Sequence, residues 1–148
     1  DLHLEHRRQR QMWIRDRPYH QDYPSMASSK SSVICWLNLV DSSSKSHGIE
    51  IMPSNHKNGI LPGNQTDRGY ALNEDFVSNK DCHIPEIKAG ELLLMSSFTP
   101  HRTFVNSNFS GWKLSISQRF DDLADLDWAA RGYRNAYSST VDREMFKY

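Results

Sequence analysis

The sequence predicts a mainly β protein with a short helical segment near its C-terminal end. Apolar runs and apolar-polar alternation are typical of strands, and they occupy five stretches separated by turn-forming residues. After Phe120 the pattern changes to acidic residues, an apolar stretch and then Gly132, which is compatible with a helix and its end. We expect strands at residues 2–14, 31–40, 48–52, 86–95 and 112–120.

Length and charge indicate one domain without an electrostatic preference for nucleic acid or membranes. The chain has 148 residues, of which 37% are hydrophobic, so residues 1–148 can bury a single core. Its 18 basic and 18 acidic residues cancel, which gives no electrostatic reason to expect nucleic acid or an anionic membrane as a partner. No apolar run approaches the roughly 20 residues that span a bilayer. We expect a monomer or a homodimer.

The two cysteines, Cys35 and Cys82, carry little chemical information. They lack CxxC spacing, so they indicate neither a thiolate metal site nor a disulfide framework. Unpaired thiols are typical of a reducing compartment, and no signal peptide is visible. We therefore expect a cytoplasmic protein.

Two segments between the strands are expected to be irregular. Residues 25–32 are rich in serine and contain Lys30, which predicts a flexible loop that can act as a lid over a neighbouring site. Residues 53–85 contain several glycines and prolines, which predict long loops at one end of the strands.

A His-Gln-Asp sequence at residues 20–22 is the strongest chemical signal in the chain. If this segment is extended, alternate side chains project from the same face, so His20 and Asp22 can hold one ion while Gln21 points away. Two imidazoles and one carboxylate on one triangular face of an octahedron leave three positions open. That arrangement suits iron(II) that must also bind a co-substrate and dioxygen.

His101 supplies the third ligand in this interpretation. It follows an apolar stretch and a turn, and a second alternating strand comes after it. A hairpin of this kind is expected to deliver a ligand to a site formed with other segments. In the following strand, alternation places four polar side chains on one face, those of Lys113, Ser115, Ser117 and Arg119.

Together with their neighbours, these residues resemble the phytanoyl-CoA dioxygenase family of 2-oxoglutarate-dependent oxygenases. The resemblance runs from about residue 20 to residue 120. The matching positions are His-Gln-Asp at 20–22, Trp36, Gly48, Pro53, His56, Gly-Glu-Leu-Leu-Leu at 90–94, His-Arg at 101–102, Asn106, Lys-x-Ser at 113–115 and Arg-Phe at 119–120. The resemblance implies a double-stranded β-helix, the cupin-like jelly-roll barrel. It also implies iron ligands at His20, Asp22 and His101.

The resemblance further implies how 2-oxoglutarate is held. Trp36 falls on a tryptophan that lies beside the co-substrate in the family. The family usually anchors the far carboxylate with arginine, but the aligned residue here is Lys113, a point donor without arginine's bidentate fork. If the polar face of the strand lines the barrel, Lys113 and Ser115 bind that carboxylate together. Arg119 is a rival anchor and Arg102 a weaker one.

The function implied by the resemblance is hydroxylation by an iron(II)- and 2-oxoglutarate-dependent dioxygenase. An unidentified small organic substrate is hydroxylated with dioxygen, and succinate and carbon dioxide are released. Related halogenases replace the carboxylate ligand with a small residue, so retention of Asp22 favours hydroxylation. One alternative is a cupin-type metalloenzyme that does not use 2-oxoglutarate, which His56 or His83 in the pocket would favour. Another is a non-catalytic jelly-roll binding module.

The two ends of the chain also differ from the family pattern. Family members have helices and strands before the first predicted strand, so we expect this chain to lack the N-terminal part of the fold. Residues 121–148 are expected to form a helical, aromatic tail packed on the barrel, with Leu123 and Trp128 at the contact. Before His56, Ser54 and Asn55 replace the usual Gly-Ser, which leaves the role of this histidine open.

Overall fold

A computed structural model describes residues 18–66, 69–77 and 82–133. Within these residues the chain is mainly β, as predicted, and two short α-helices accompany seven strands. In chain order the elements are α1 (Asp22–Met26), β1 (Val33–Asn38), β2 (Gly48–Ile51), a 3-10 helix (Asn55–Asn58), β3 (Gly63–Thr66), β4 (Gly69–Leu72), a 3-10 helix (Glu74–Phe76), β5 (Leu92–Ser96), β6 (His101–Phe104), β7 (Ser115–Phe120) and α2 (Leu126–Ala130). The strand predicted at 2–14 and the tail from residue 134 lie outside the described residues.

The strands form three antiparallel groups. β1 lies between β5 and β7 in a three-stranded sheet, β2 pairs with β6, and β3 pairs with β4. In the first sheet Ile34 is opposite Met95 on one side and Arg119 on the other. Trp36 is opposite Leu93 and Ser117 in the same way.

The main core lies between the three-stranded sheet and the β2-β6 pair. Ile34 and Met95 from the first sheet pack with Ile49 from β2 and with Ile87. Strand side chains alternate between the two faces of a sheet, so this packing identifies the inner face of each strand. On β7 the inner residues are Ser115, Ser117 and Arg119, because they lie opposite Asn38, Trp36 and Ile34 of β1 in the antiparallel register.

The outer face of the three-stranded sheet is apolar. Its exposed side chains include Val33 and Phe120 at one end and Leu92, Leu94 and Ile116 further along. β1 and β5 therefore carry apolar side chains on both faces of this sheet, whereas β7 is polar on its inner face.

The serine-rich segment 25–32 is buried, so the prediction of a flexible lid is wrong. α1 extends to Met26, and Ser28, Ser29 and Ser32 are almost fully buried. The chain after β7 supplies the partners of Ser29: its N–H donates to Asp121 Oδ1 over 3.1 Å, and its Oγ accepts from the backbone N–H of residue 122 over 2.9 Å. Small polar side chains pack closely once their hydrogen bonds are satisfied.

The segment 53–85 is more regular than predicted. Besides two 3-10 helices it contains the β3-β4 hairpin, and Leu72 N–H at the end of β4 donates to Tyr19 O over 2.8 Å. Tyr19, Met52 and Leu72 form a second buried cluster beneath this segment. The predicted strands at 86–95 and 112–120 begin later, at residues 92 and 115.

The chain after β7 packs against the segment that follows α1. Asp125 caps α2 by accepting from Trp128 N–H over 3.1 Å, and Trp128 is buried. Arg131 donates to the carbonyl oxygens of Ala27 and Ser28. Leu123, by contrast, is 70% exposed, so the expected packing role of Leu123 is wrong. In the described residues, no helix has the length and apolar character that crossing a membrane requires.

Candidate metal centre

Two backbone hydrogen bonds bring the histidines of the site together. His20 N–H donates to His101 O and His101 N–H donates to His20 O, each over 3.0 Å, which is an antiparallel bridge. Gln21 has an extended backbone (φ −110°, ψ 140°), and Asp22 is the first residue of α1. The His-Gln-Asp segment is therefore extended up to the carboxylate, and it projects His20 and Asp22 toward His101 as the sequence predicted.

The potential ligand atoms of these three residues converge on one space. Asp22 Oδ1 lies 3.6 Å from His20 Nε2 and 3.9 Å from His101 Nε2. One ligand atom from each residue lies within 4.8 Å of the other two. Ligands bound at about 2.1 Å and at right angles lie roughly 3 Å apart, so small side-chain movements would place all three around one ion.

The backbone sets the protonation of both imidazoles. His20 Nδ1 lies 3.1 Å from Pro18 O, and His101 Nδ1 lies 2.9 Å from Thr99 O. A carbonyl oxygen only accepts hydrogen bonds, so each neutral ring carries its proton on Nδ1. Each Nε2 then presents a lone pair on the side of Asp22, which is the state that binds a metal.

Asp22 has two carboxylate oxygens in different environments. Oδ1 faces the histidines, whereas Oδ2 accepts from Arg119 Nε over 3.0 Å and from its terminal nitrogen over 2.7 Å. Burial by itself would raise the pKa of the Asp22 carboxyl, but the charges of His101, Arg119 and His20 and the hydrogen bond from Arg119 lower it. Asp22 is therefore ionised near neutral pH, as a metal ligand must be.

Gln21 lies between His20 and Asp22 in the sequence, and its side chain points away from theirs, as predicted. Its side chain is fully buried. Nε2 donates to Gly59 O over 2.8 Å and to Phe98 O over 2.6 Å, and Oε1 accepts from Leu61 N–H over 2.8 Å. Gln21 thereby ties the ligand segment to two separate loops. The sequence did not identify this clamp, because a glutamine partnered only by distant backbone atoms leaves no local pattern.

Lys113 is a buried cation on the inner side of the barrel. Nζ donates to Gly48 O over 2.8 Å and lies 4.4 Å from the centre of the Trp36 ring. In the described part of the chain, no carboxylate forms an ion pair with it. Desolvation by burial lowers the pKa of Lys113 to about 8. The predicted pair of Lys113 and Trp36 is therefore in contact, and the ammonium lacks an anionic partner among these residues.

The inner face of β7 runs between Lys113 and Asp22. Ser115 and Ser117 on this face are half-buried. Ser117 Oγ is enclosed without a hydrogen-bond partner among the described residues. Arg119 follows at the Asp22 end. Sequence alternation placed Ser117 on the polar face, but only the structure identifies its hydroxyl as unpartnered.

Arg102, His56 and His83, which the sequence offered as alternative site residues, are not part of the group formed by His20, Asp22 and His101. Arg102 Nε is 2.5 Å from Glu50 Oε2, and its guanidinium lies 4.6 Å from the centre of the Tyr19 ring. His56 is exposed on the first 3-10 helix, and His83 is exposed where it bridges to β2. Among the described residues, His20, Asp22 and His101 are the one group of three side chains placed to hold a metal.

Comparison with known proteins identifies the fold. No protein-family model matches the chain, and no curated protein is detectably similar to it in sequence. Solved structures do match. The non-heme monooxygenase ThoJ, in its apo form, is 17% identical over 70% of this chain and 39% of its own, with a TM-score of 0.57. EvdO2 from Micromonospora carbonacea var. aurantiaca, solved alone and with 2-oxoglutarate, is 19% identical over 73% of this chain and 48% of its own, with a TM-score of 0.53.

A third match is SnoN, a non-heme alpha-ketoglutarate-dependent epimerase from nogalamycin biosynthesis. It is 22% identical over 70% of this chain and 38% of its own, with a TM-score of 0.51. A second SnoN structure contains Fe3+, alpha-ketoglutarate and nogalamycin RO. The chain spans less than half the length of these proteins. The predicted jelly-roll, cupin-like fold is confirmed by these matches and by the strand content.

Removal of the Gln21 clamp should destabilise the protein. Gln21→Leu preserves volume but leaves two carbonyls and one N–H buried without their partners. We expect the free energy of unfolding to fall by about 2–5 kcal/mol. Urea denaturation of the metal-free protein measures this change. Gln65→Leu, at an exposed glutamine, should change it by less than about 0.5 kcal/mol, and equal effects of the two variants would show that the clamp has no structural role.

The ligand set should bind one divalent ion. Isothermal titration with Co(II) is expected to give one site per chain, and His101→Ala should weaken it by more than about 100-fold, because a ligand is lost and not merely one of its outer partners. His56→Ala is the matched control, because it removes a histidine that does not belong to the candidate metal centre. Its affinity for Co(II) should equal that of the unaltered protein. Loss of binding in both variants, or in neither, would contradict the assignment.

Proposed function

We propose that the protein is an iron(II)- and 2-oxoglutarate-dependent oxygenase of the phytanoyl-CoA dioxygenase family that hydroxylates a small organic molecule. The observation that carries this proposal is the convergence of two Nε2 atoms and a single carboxylate oxygen on one space. Two histidines and one carboxylate with open positions are the ligand set of non-haem iron(II) oxygenases. The matched proteins support it, since they are named as a monooxygenase, a protein solved with 2-oxoglutarate and an alpha-ketoglutarate-dependent epimerase.

The donor set fits iron(II) in charge and in protonation. In their neutral form both imidazoles would present unprotonated Nε2 atoms to the ion, and the pKa of the Asp22 carboxyl is lowered. The side chains of Asp22 and His101 are 8% and 6% exposed, so little water reaches the ligand atoms. When bound, iron, 2-oxoglutarate and dioxygen supply the oxidation. In the balanced reaction one oxygen atom enters the substrate C–H bond, and the other enters succinate as carbon dioxide leaves.

The protein's part is to hold the reactants and to exclude water. A buried ammonium without a carboxylate partner is costly, and an anionic ligand removes that cost. Lys113 is therefore suited to bind the far carboxylate of 2-oxoglutarate, and the Trp36 ring packs against the Lys113 ammonium. The enclosed Ser117 hydroxyl, which lacks a partner, is available to a polar ligand on the same face. Arg119 and Arg102 are each engaged by a protein carboxylate, which favours Lys113 as the anchor.

A second outcome of the same chemistry is epimerisation. Removal of a hydrogen atom from one face of a carbon and delivery of another to the opposite face would use the same bound groups but insert no oxygen. Because the substrate stays at the same oxidation level, a two-electron reductant would also be needed, and the second oxygen atom of dioxygen would leave as water. The observation that favours this candidate is the structural match to SnoN, which is named as an epimerase. The product distinguishes the two reactions, because only hydroxylation adds an atom from labelled dioxygen.

Turnover of 2-oxoglutarate tests the proposed function. The purified protein, loaded with Fe(II) without oxygen, should release succinate once dioxygen is admitted, and a panel of small organic molecules should include some that accelerate the release. His101→Ala should release none above the rate of free iron. Equal succinate release by the two proteins, or none from the unaltered protein with any compound, would reject the proposal.

Substitution of Lys113 should affect co-substrate binding more than metal binding. Lys113→Met removes the ammonium, and a hydrogen bond to a charged group is worth about 1.5–3 kcal/mol. We expect the KM for 2-oxoglutarate to rise roughly 10–100-fold while the affinity for Co(II) changes little. Arg119→Met and Arg102→Met are the comparisons. If the KM for 2-oxoglutarate is unchanged in Lys113→Met, the anchoring role belongs to the arginine whose substitution by methionine raises that KM.

The pH dependence follows from the pKa of Lys113. Burial lowers that pKa to about 8 in the absence of ligand, so the binding form with its positive charge is present below pH 8 and is lost above it. The apparent Kd of 2-oxoglutarate should rise as the pH passes about 8. Lys113→Arg should remove this rise, because arginine stays protonated to about pH 12. A rise of equal size in both proteins would assign the titration to another group.

A further inference from the structure

Arg119 contacts the carboxylate that the proposed function assigns to the metal. From the inner face of β7 its Nε and one terminal nitrogen donate to the same atom, Asp22 Oδ2, over 3.0 and 2.7 Å. The other oxygen, Oδ1, faces His20 Nε2 and His101 Nε2. One oxygen of the Asp22 carboxylate therefore contacts Arg119, and the other faces the two histidines.

We propose that Arg119 is a positioning residue that restricts Asp22 to binding the metal through one oxygen. This inference rests on the proposed function, because it assumes that His20, Asp22 and His101 hold the ion. It assigns Arg119 to the metal ligand, whereas the sequence had offered it as a rival anchor for 2-oxoglutarate. The role differs from that of Lys113, whose ammonium contacts Trp36 and Gly48.

The restriction matters because the centre has no coordination position to spare. Three protein atoms on an octahedral ion leave three positions. A 2-oxo acid that chelates through its carboxylate and keto oxygens takes two of them, and dioxygen needs the third. A free aspartate can bind an ion through both oxygens, which would occupy one of these positions. Two hydrogen bonds from Arg119 to Oδ2 oppose that second bond.

Both partners of this contact are held by separate parts of the fold. Arg119 is opposite Ile34, the most buried residue of β1, in the register of the three-stranded sheet. Asp22 follows the fully buried Gln21 at the start of α1. The side chains of Arg119 and Asp22 are 32% and 8% exposed. The contact is thus partly shielded from water, and neither partner depends on a loop for its position.

Removal of Arg119 should change both the metal affinity and the number of ligand atoms on the ion. A nearby guanidinium repels a divalent cation, so loss of its charge alone would tighten metal binding. Loss of the hydrogen bonds leaves Asp22 Oδ2 able to bind the ion as well, which would displace one water from it. The number of bound waters therefore separates a positioning role, which changes that number, from a purely electrostatic one, which does not.

The test is a titration of the metal-free protein with Co(II), followed by calorimetry, and with Mn(II), followed by the relaxation of water protons, which reports the number of waters on the ion. Arg119→Met removes the charge and the hydrogen bonds, and Arg119→Lys keeps the charge but loses the two-pronged contact of the guanidinium. We expect one water fewer on Mn(II) in both variants. The Kd of Co(II) should fall about 3–10-fold in Arg119→Met and change less in Arg119→Lys. Gln118→Met, on the outer face of β7, should match the unaltered protein.

Three outcomes would overturn the inference while leaving the proposed function intact. These are an unchanged number of bound waters in both variants, weaker Co(II) binding in Arg119→Met, and a loss of 2-oxoglutarate affinity in Arg119→Met alone with normal Co(II) binding. If Arg119→Met fails to fold by circular dichroism, Arg119→Lys decides between the same outcomes. Failure of the unaltered protein to bind Co(II) would instead reject the metal centre itself, and with it the proposed function.

Discussion

The backbone bridge between His20 and His101 is the constraint on which the rest of the site depends. It joins a segment that precedes the barrel strands to the start of β6, and it brings two imidazoles from distant parts of the chain to one place. β6 is in turn paired with β2, and the core packs β2 against β1. Sheet pairing and core packing therefore set the backbone positions of the two histidines. The rotamers of their side chains then determine where the Nε2 atoms lie.

The three side chains of the candidate metal centre each have one atom engaged outside the group. Backbone carbonyls lie beside the two Nδ1 atoms and Arg119 donates to Asp22 Oδ2, so the two Nε2 atoms and Oδ1 face one another. At the other end of the same polar face, the partners of the Lys113 ammonium among the described residues are a carbonyl and an aromatic ring. One cation of this face is thus neutralised by the protein, and the other is suited to a ligand. This asymmetry is the electrostatic basis of the proposed co-substrate site.

The sequence predicted the parts of the site that depend on short spacing. Alternation placed His20 and Asp22 on one side and Gln21 on the other, and it assigned Ser117 and Arg119 to one face of a strand. It failed where long-range contacts decide the outcome. Residues 25–32 resembled a mobile loop because serine favours turns, yet the chain after β7 supplies their hydrogen bonds and buries them. Neither the clamp formed by Gln21 nor the contact between Arg119 and Asp22 has a local pattern.

If His20, Asp22 and His101 hold iron(II) as we propose, they leave room on the ion for 2-oxoglutarate to chelate it. Visible absorption during a titration of the Fe(II)-loaded protein with 2-oxoglutarate, in the absence of oxygen, tests this arrangement. Chelation of a 2-oxo acid to iron(II) produces a charge-transfer band in the visible range. We expect a band that saturates at one 2-oxoglutarate per chain and is lost in His101→Ala. Absence of the band from the unaltered protein, or its persistence in His101→Ala, would show that these residues do not form the proposed centre.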